Sequence, residues 1–148
     1  RDLSSVIKGL YYFDTWIPEI YESEGGSNAF LENVISKSEE QHKLLNEFLE
    51  IYENDTDIEN IILVTHTVPL KKFALDKDGN IETSFQLQSK AKNLINGKFK
   101  KLSKWIFGHT HNQFDEVING VHFISHPRGR PEDFDREDYT LKKINFKN

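Results

Sequence analysis

Three histidines stand where short apolar runs stop. Ile61-Ile62-Leu63-Val64-Thr65 leads into His66, and Trp105-Ile106-Phe107-Gly108 leads into His109-Thr110-His111. Imidazole nitrogens are metal ligands, and a strand that ends in one fixes its backbone through the sheet while the following loop turns it toward a shared point. The chemistry to expect is a metal site, and its donors must be nitrogen and oxygen. Cysteine is absent, which removes thiolate zinc sites and disulfides.

Elements able to position those residues can be read along the chain. Val6 to Phe13 is β-rich and predicts a strand, followed by an Asp14-Thr15-Trp16-Ile17-Pro18 turn and a Glu24-Gly25-Gly26-Ser27 link. Phe30, Leu31, Val34 and Ile35 form one apolar stripe at helical spacing, and Leu44, Leu45, Phe48, Leu49 and Tyr52 form another. Between them Ser38-Glu39-Glu40-Gln41 has the pattern of a capping box, so two helices are expected, the second ending near Asn54. Ile61 to Thr65 lacks alternation, which predicts a strand buried on both faces, and the amphipathic helix before it makes an αβ unit of a layered fold. A further helix is expected from Phe85 to Ile95, capped by Ser84 and ended by Gly97, then a strand from Lys104 to Phe107. Gly108 is expected to supply the backbone freedom that turns two imidazoles inward. Asn119-Gly120 between Phe114–Ile118 and Val121–Ser125 is the strongest hairpin signal, because both turn residues tolerate positive φ. Tyr139 to Phe146 predicts a last strand.

Composition bounds the class. With 148 residues, 36% hydrophobic and 12% aromatic, the chain can bury the core of one domain, or of a piece of one. A net charge of −5 disfavours non-specific attraction to a phosphate backbone, so nucleic acid is not an expected partner. No apolar run approaches the roughly 18 residues of a membrane span, and no basic segment precedes an apolar stretch at the N-terminus, so no membrane is expected and a cytoplasmic setting is. The chain opens on Arg1 and contains no methionine, from which an upstream segment is expected.

The two histidine motifs, Val64-Thr65-His66-Thr67-Val68-Pro69 and Gly108-His109-Thr110-His111, resemble the last two motifs of the calcineurin-like metallophosphoesterases. Their order agrees too: a strand-helix-strand carrying a histidine, a Gly-His-x-His loop, and a hairpin, here Phe114 to Ser125. Ser125-His126-Pro127-Arg128-Gly129-Arg130-Pro131 is similar to the Asn-Pro-Arg-Gly-Tyr segment of a small bacterial and phage-type subgroup, with His126 replacing Asn and Arg130 replacing Tyr. The resemblance covers most of residues 3 to 134. The family's Asp-x-His, Gly-Asp and Gly-Asn-His motifs do not occur; Asp78-Gly79-Asn80 comes nearest but is followed by Ile81.

The resemblance therefore implies that residues 1–148 are the C-terminal half of one α/β domain, a four-layer αββα sandwich, whose partner is the N-terminal half. It implies a phosphatase-type hydrolase of a phosphorylated substrate, with two divalent ions sharing a bridging hydroxide. His66 and His109 would ligate one ion and His111 the other; imidazole suits Mn, Fe or Zn. The general acid of the family lies in the missing Gly-Asn-His, so no histidine here takes that role. Arg128 either clamps a substrate phosphate or pairs with a carboxylate of its loop. A non-enzymatic alternative is a silent half-domain that serves as an interaction module.

Other candidates have plainer readings. His126 reads as a surface-loop histidine, with a place at the rim of the site as the rival reading, His42 and His122 as structural, and Asp14 as a turn residue. Asp76-Lys77-Asp78-Gly79-Asn80 has its glycine two positions early for a calcium loop and reads as a turn. Lys98, Lys100, Lys101 and Lys104 around Phe99 read as a solvated loop.

Overall fold

The computed structural model describes residues 27–75, 78–79, 88–129 and 139–145. The expected strand Val6–Phe13, the turn after it, the link at 24–26 and the helix start at 84–87 lie outside them.

Helix α1 spans Ser27–Asn54 without interruption, where the sequence predicts two helices. Its interior contains neither glycine nor proline, and an N-cap needs non-helical backbone that nothing here imposes. Ser38 in a helix interior is only about 0.5 kcal/mol worse than alanine, too little to break 28 residues. The C-terminus is tied down with more care. Asp55 N–H donates to Ile51 O at 3.1 Å, and the Lys101 ammonium donates to the carbonyls of Tyr52 and Asp55, at 3.4 and 2.6 Å. A cation among the last free carbonyls of a helix satisfies them and opposes the negative end of its dipole. The Glu53 carboxylate in turn accepts from the backbone N–H groups of Lys100 and Lys101, at 2.9 and 3.0 Å. The lysine loop is thus the clasp between α1 and the strand that follows it.

After β1, Ile61–Thr65, a short 3-10 turn at Lys71–Ala74 precedes α2, Gln88–Leu94. Gly97 at φ 92° follows α2, in the left-handed backbone that the terminator role requires. Then come β2, Leu102–Phe107, β3, Phe114–Ile118, and β4, Val121–Ser125. The four strands make one mixed sheet in the order β1-β2-β4-β3, with β1, β2 and β4 parallel and β3 antiparallel to β4. The hairpin forms as expected, with Asn119 at φ 51° and Gly120 at φ 84°. The described residues form an α/β structure with a four-stranded mixed sheet.

One apolar cluster joins Leu49 of α1 and Leu94 of α2 to Trp105 and Phe123 on the sheet. Phe73, fully buried, plugs its end, with ring centroids 4.9 Å from Phe107 and from Phe114 and 5.4 Å from Phe123. Such packed rings add dispersion and edge electrostatics to burial, so the loop after β1 is anchored by an aromatic pin.

Two expectations are corrected at the sheet, and one at the lysine loop. Strand β1 is buried at Ile61 alone: Val64 is 67% exposed, because β1 is the edge of the described sheet and its alternate side chains face away from the cluster. Residues 139–145 pair with no strand; they cross the sheet as an irregular strap. Lys104 lies in the expected strand and is 7% exposed, which overturns only its reading as part of a solvated loop. No described helix is long and apolar enough to cross a membrane.

Candidate metal site at the carboxyl edge of the sheet

Parallel pairing brings the sequence motifs together. Thr65 pairs with Phe107, and Ile106 pairs with Ile124, so β1, β2 and β4 all end at one edge. His66, the His109–His111 loop and the His126–Gly129 segment leave the sheet side by side, at the carboxyl ends where open α/β sheets commonly bind ligands.

His66 is exposed and His109 half-buried, with His109 Nδ1 3.0 Å from His66 Nε2. The rings meet edge to face, centroids 5.0 Å apart at 77°. One imidazole N–H donates to the lone pair of the other, the tautomers deciding which. The same spacing suits a shared ion: ligand bonds of about 2.1 Å at right angles place their donor atoms about 3.0 Å apart. With the tautomers changed so that both nitrogens carry lone pairs, the pair has the spacing of two neighbouring metal ligands.

The turn that delivers His109 is unusual in a different place from the one expected. Gly108 has no positive φ; His109 does, at 63°. A left-handed residue with a Cβ costs about 1–2 kcal/mol, so the backbone holds strain at the imidazole itself. A Cβ added at Gly108 would sit 3.5 Å from His66 Nδ1, an ordinary contact.

A relay of hydrogen bonds fixes His66 from the core side. The buried Trp105 indole donates to Thr65 Oγ at 3.0 Å, and Thr65 Oγ donates to Thr67 O at 2.9 Å. Thr65 and Thr67 flank the histidine in the chain, so the second bond closes the turn that carries it. In the second loop Thr110 is 2% exposed, and its Oγ accepts from Asn112 N–H at 3.2 Å.

Burial lowers the pKa of His109, and the neighbouring His66 and His111 lower it further by charge repulsion. The imidazole therefore stays neutral to lower pH than usual, the form a metal ligand needs. His111 is half-buried and close enough to be felt electrostatically. Among the described residues, however, no three His, Asp or Glu side chains converge tightly enough to hold an ion. The structure brings His66 and His109 together and leaves His111 on the loop of His109 as a neighbour. Arg128 is exposed on the segment after β4, at the same edge.

His126 belongs to the same neighbourhood rather than to open surface. It is half-buried, its Nε2–H donates to Thr140 O at 2.7 Å, and its ring lies 5.1 Å from Tyr139. The strap thus reaches the site, which its pattern does not reveal. It is held at its other end by Asp115, whose carboxylate pairs with Lys142 and with His122. Hydrogen bonds from Lys142 and then His122 hold the Asp115 carboxyl below the ordinary carboxylate range. Between strap and sheet lies a half-open cleft of about 310 Å³ that begins beside His109.

No protein family, curated protein or solved structure matches this chain.

Proposed function

We propose that this chain is the C-terminal half of a calcineurin-like metallophosphoesterase domain, a four-layer αββα sandwich, and that the completed domain hydrolyses phosphoric esters in the cytoplasm. One observation carries the reading: two imidazole nitrogens 3.0 Å apart at the carboxyl edge of a parallel strand pair. Divalent ions held there would neutralise phosphoryl charge and supply a nucleophilic water at neutral pH.

His66 and His109 are assigned to one ion, Mn, Fe or Zn, and His111 to the second, with carboxylate and amide donors from the N-terminal half. Thr65 and Trp105 orient His66, and the strained turn aims His109. Arg128 is assigned to the substrate phosphate, which its planar fork can hold with two parallel bonds.

In the complete protein, His109→Ala and His111→Ala are each expected to abolish metal binding, followed by calorimetry, and phosphatase activity on an aryl phosphate. Activity retained in both variants removes the assignment.

A second reading, an interaction module without catalysis, is favoured by α1, where Leu44, Phe48, Ile51 and Tyr52 are 40–59% exposed along one side. An apolar stripe of that size marks a contact surface. Absence of metal binding by the complete protein, with a partner seated on this stripe, would decide for it.

A further inference from the structure

Helix α1 carries an apolar stripe that the core does not use. Leu45 and Leu49 turn toward the sheet, whereas Leu44, Phe48, Ile51 and Tyr52 recur at helical spacing beside them and are exposed. Phe48 and Tyr52 stack, centroids 6.2 Å apart at 20°, and present one aromatic surface. From Leu44 to Tyr52 the stripe runs about 12 Å along the axis, a length over which a second helix can set its ridges into the grooves of α1. It is also remote from the exposed side chain of β1. Leu49 packs with Trp105 and Phe123 on one face of the sheet, and Val64 points away from that face.

Charge selects the occupant. Helix α1 contains six glutamates and two lysines, which is most of the chain's net charge of −5. Glu40 and Glu47 are exposed, each one turn from Leu44, and Glu47 is one turn from Ile51 as well, so they border the stripe on the side away from the core. Glu50 and Glu53 turn inward instead, to Lys98 and to the backbone of Lys100 and Lys101. Glu47 meets Lys43 at 4.0 Å with both side chains more than half exposed, a pair that water screens. Aromatic faces attract cations as the carboxylates do. A second copy of this chain fits less well, because two stripes packed antiparallel set one glutamate border against the other. An anionic membrane surface is repelled for the same reason.

We infer that the α1 stripe docks a basic amphipathic helix of a partner protein, with its apolar side on Phe48 and Ile51 and its lysines or arginines on Glu40 and Glu47. This rests on the contact-surface reading of α1 and holds whether or not the metal site is active.

The test titrates the complete protein with three synthetic peptides of equal length, followed by calorimetry and amide chemical shifts. The first is an amphipathic helix with a leucine stripe bordered by lysines, the second has glutamates for the lysines, and the third scatters the leucines of the first so that no stripe forms. Saturable shifts at residues 44–52 are expected with the lysine peptide. Binding is expected to be about fivefold weaker with the glutamate peptide and about tenfold weaker with the scattered one. Phe48→Ser is expected to weaken the lysine peptide about tenfold with Tm little changed, since the ring is half-exposed. Glu40→Lys combined with Glu47→Lys, both at exposed positions, is expected to reverse the preference in favour of the glutamate peptide. Equal binding of the lysine and glutamate peptides, or a preference that survives the charge reversal, keeps the contact surface and removes the basic partner. Absence of shifts at residues 44–52 with every peptide, or binding unaffected by Phe48→Ser, removes both. Shifts there with phosphatidylcholine vesicles but not with the lysine peptide assign the stripe to a membrane, and concentration-dependent shifts without peptide assign it to a second copy; either overturns the proposal.

Discussion

At the scale of single residues, the site depends on groups that have no catalytic chemistry. Thr65 accepts from Trp105 and donates to Thr67 O, so its hydroxyl spans the core and the turn that carries His66. Thr65→Val keeps the shape and removes both bonds, leaving the indole N–H unsatisfied. A loss of about 1–3 kcal/mol in chemical unfolding is expected, with metal affinity of the complete protein down about tenfold. An unchanged unfolding midpoint would show that the relay carries no weight. Charge states give a second check. The folded chain favours neutral His109, so as pH falls below 6.5 the unfolded chain is protonated first, and stability is lost until pH passes the folded value. The His109 Cε1 proton is expected to titrate with a midpoint below 6.5, by NMR. A midpoint above 6.5 contradicts the burial. Asp115 acts over a lower range. Its carboxyl lies below 3.8, so the strap's ion pairs contribute fully above that pH and are lost as pH falls through the folded value. Asp115 is 49% exposed, which screens the pairs and keeps the effect small. Asp115→Asn is expected to lower Tm at neutral pH and to match the parent at strongly acid pH; a constant difference across pH would exclude this account.

At the scale of elements, α1 shows how a local signal loses to continuity. Ser38-Glu39-Glu40-Gln41 has the residue types of a capping box, but a cap works only where the backbone leaves the helix, and residues on both sides remain helical. The structure therefore predicts that Ser38→Ala stabilises slightly, by about 0.5 kcal/mol, since alanine is the better interior residue. A true N-cap would instead lose about 1 kcal/mol. The sign of the change in Tm decides between one helix and two. At the other end of α1 the sequence has the ingredients without showing their use. Lys101 reads as part of a solvated loop, yet with Glu53 it clasps the helix to the start of β2 through four hydrogen bonds to main-chain groups.

At the scale of the molecule, both edge strands of the described sheet carry an exposed apolar side chain. Strand β1 exposes Val64, and the hairpin exposes Val117, both at 67%. Unpaired edges and bare apolar patches recruit whatever completes them. The isolated 148-residue chain is therefore expected to self-associate, with a sedimentation coefficient that rises with concentration, and Val64→Lys is expected to suppress the rise. A monomer that melts cooperatively without Val64→Lys would count against the half-domain reading.

The local parts of this protein were legible from sequence because they are governed by nearest neighbours. Asn119-Gly120 dictates its hairpin through positive φ, Ile61–Thr65 reads as a strand from its β-branched run, and the histidines announce themselves at the strand ends. Three things needed the tertiary structure. The parallel register of Thr65 with Phe107 sets His66 against His109 across 43 residues, a relation that no local pattern encodes. The strap's course over the sheet is fixed by Lys142 on Asp115 and by Thr140 on His126, contacts between segments without regular structure. Which face of β1 is covered depends on what packs there, and periodicity reports that a side chain is apolar but not whether a neighbour arrives to bury it.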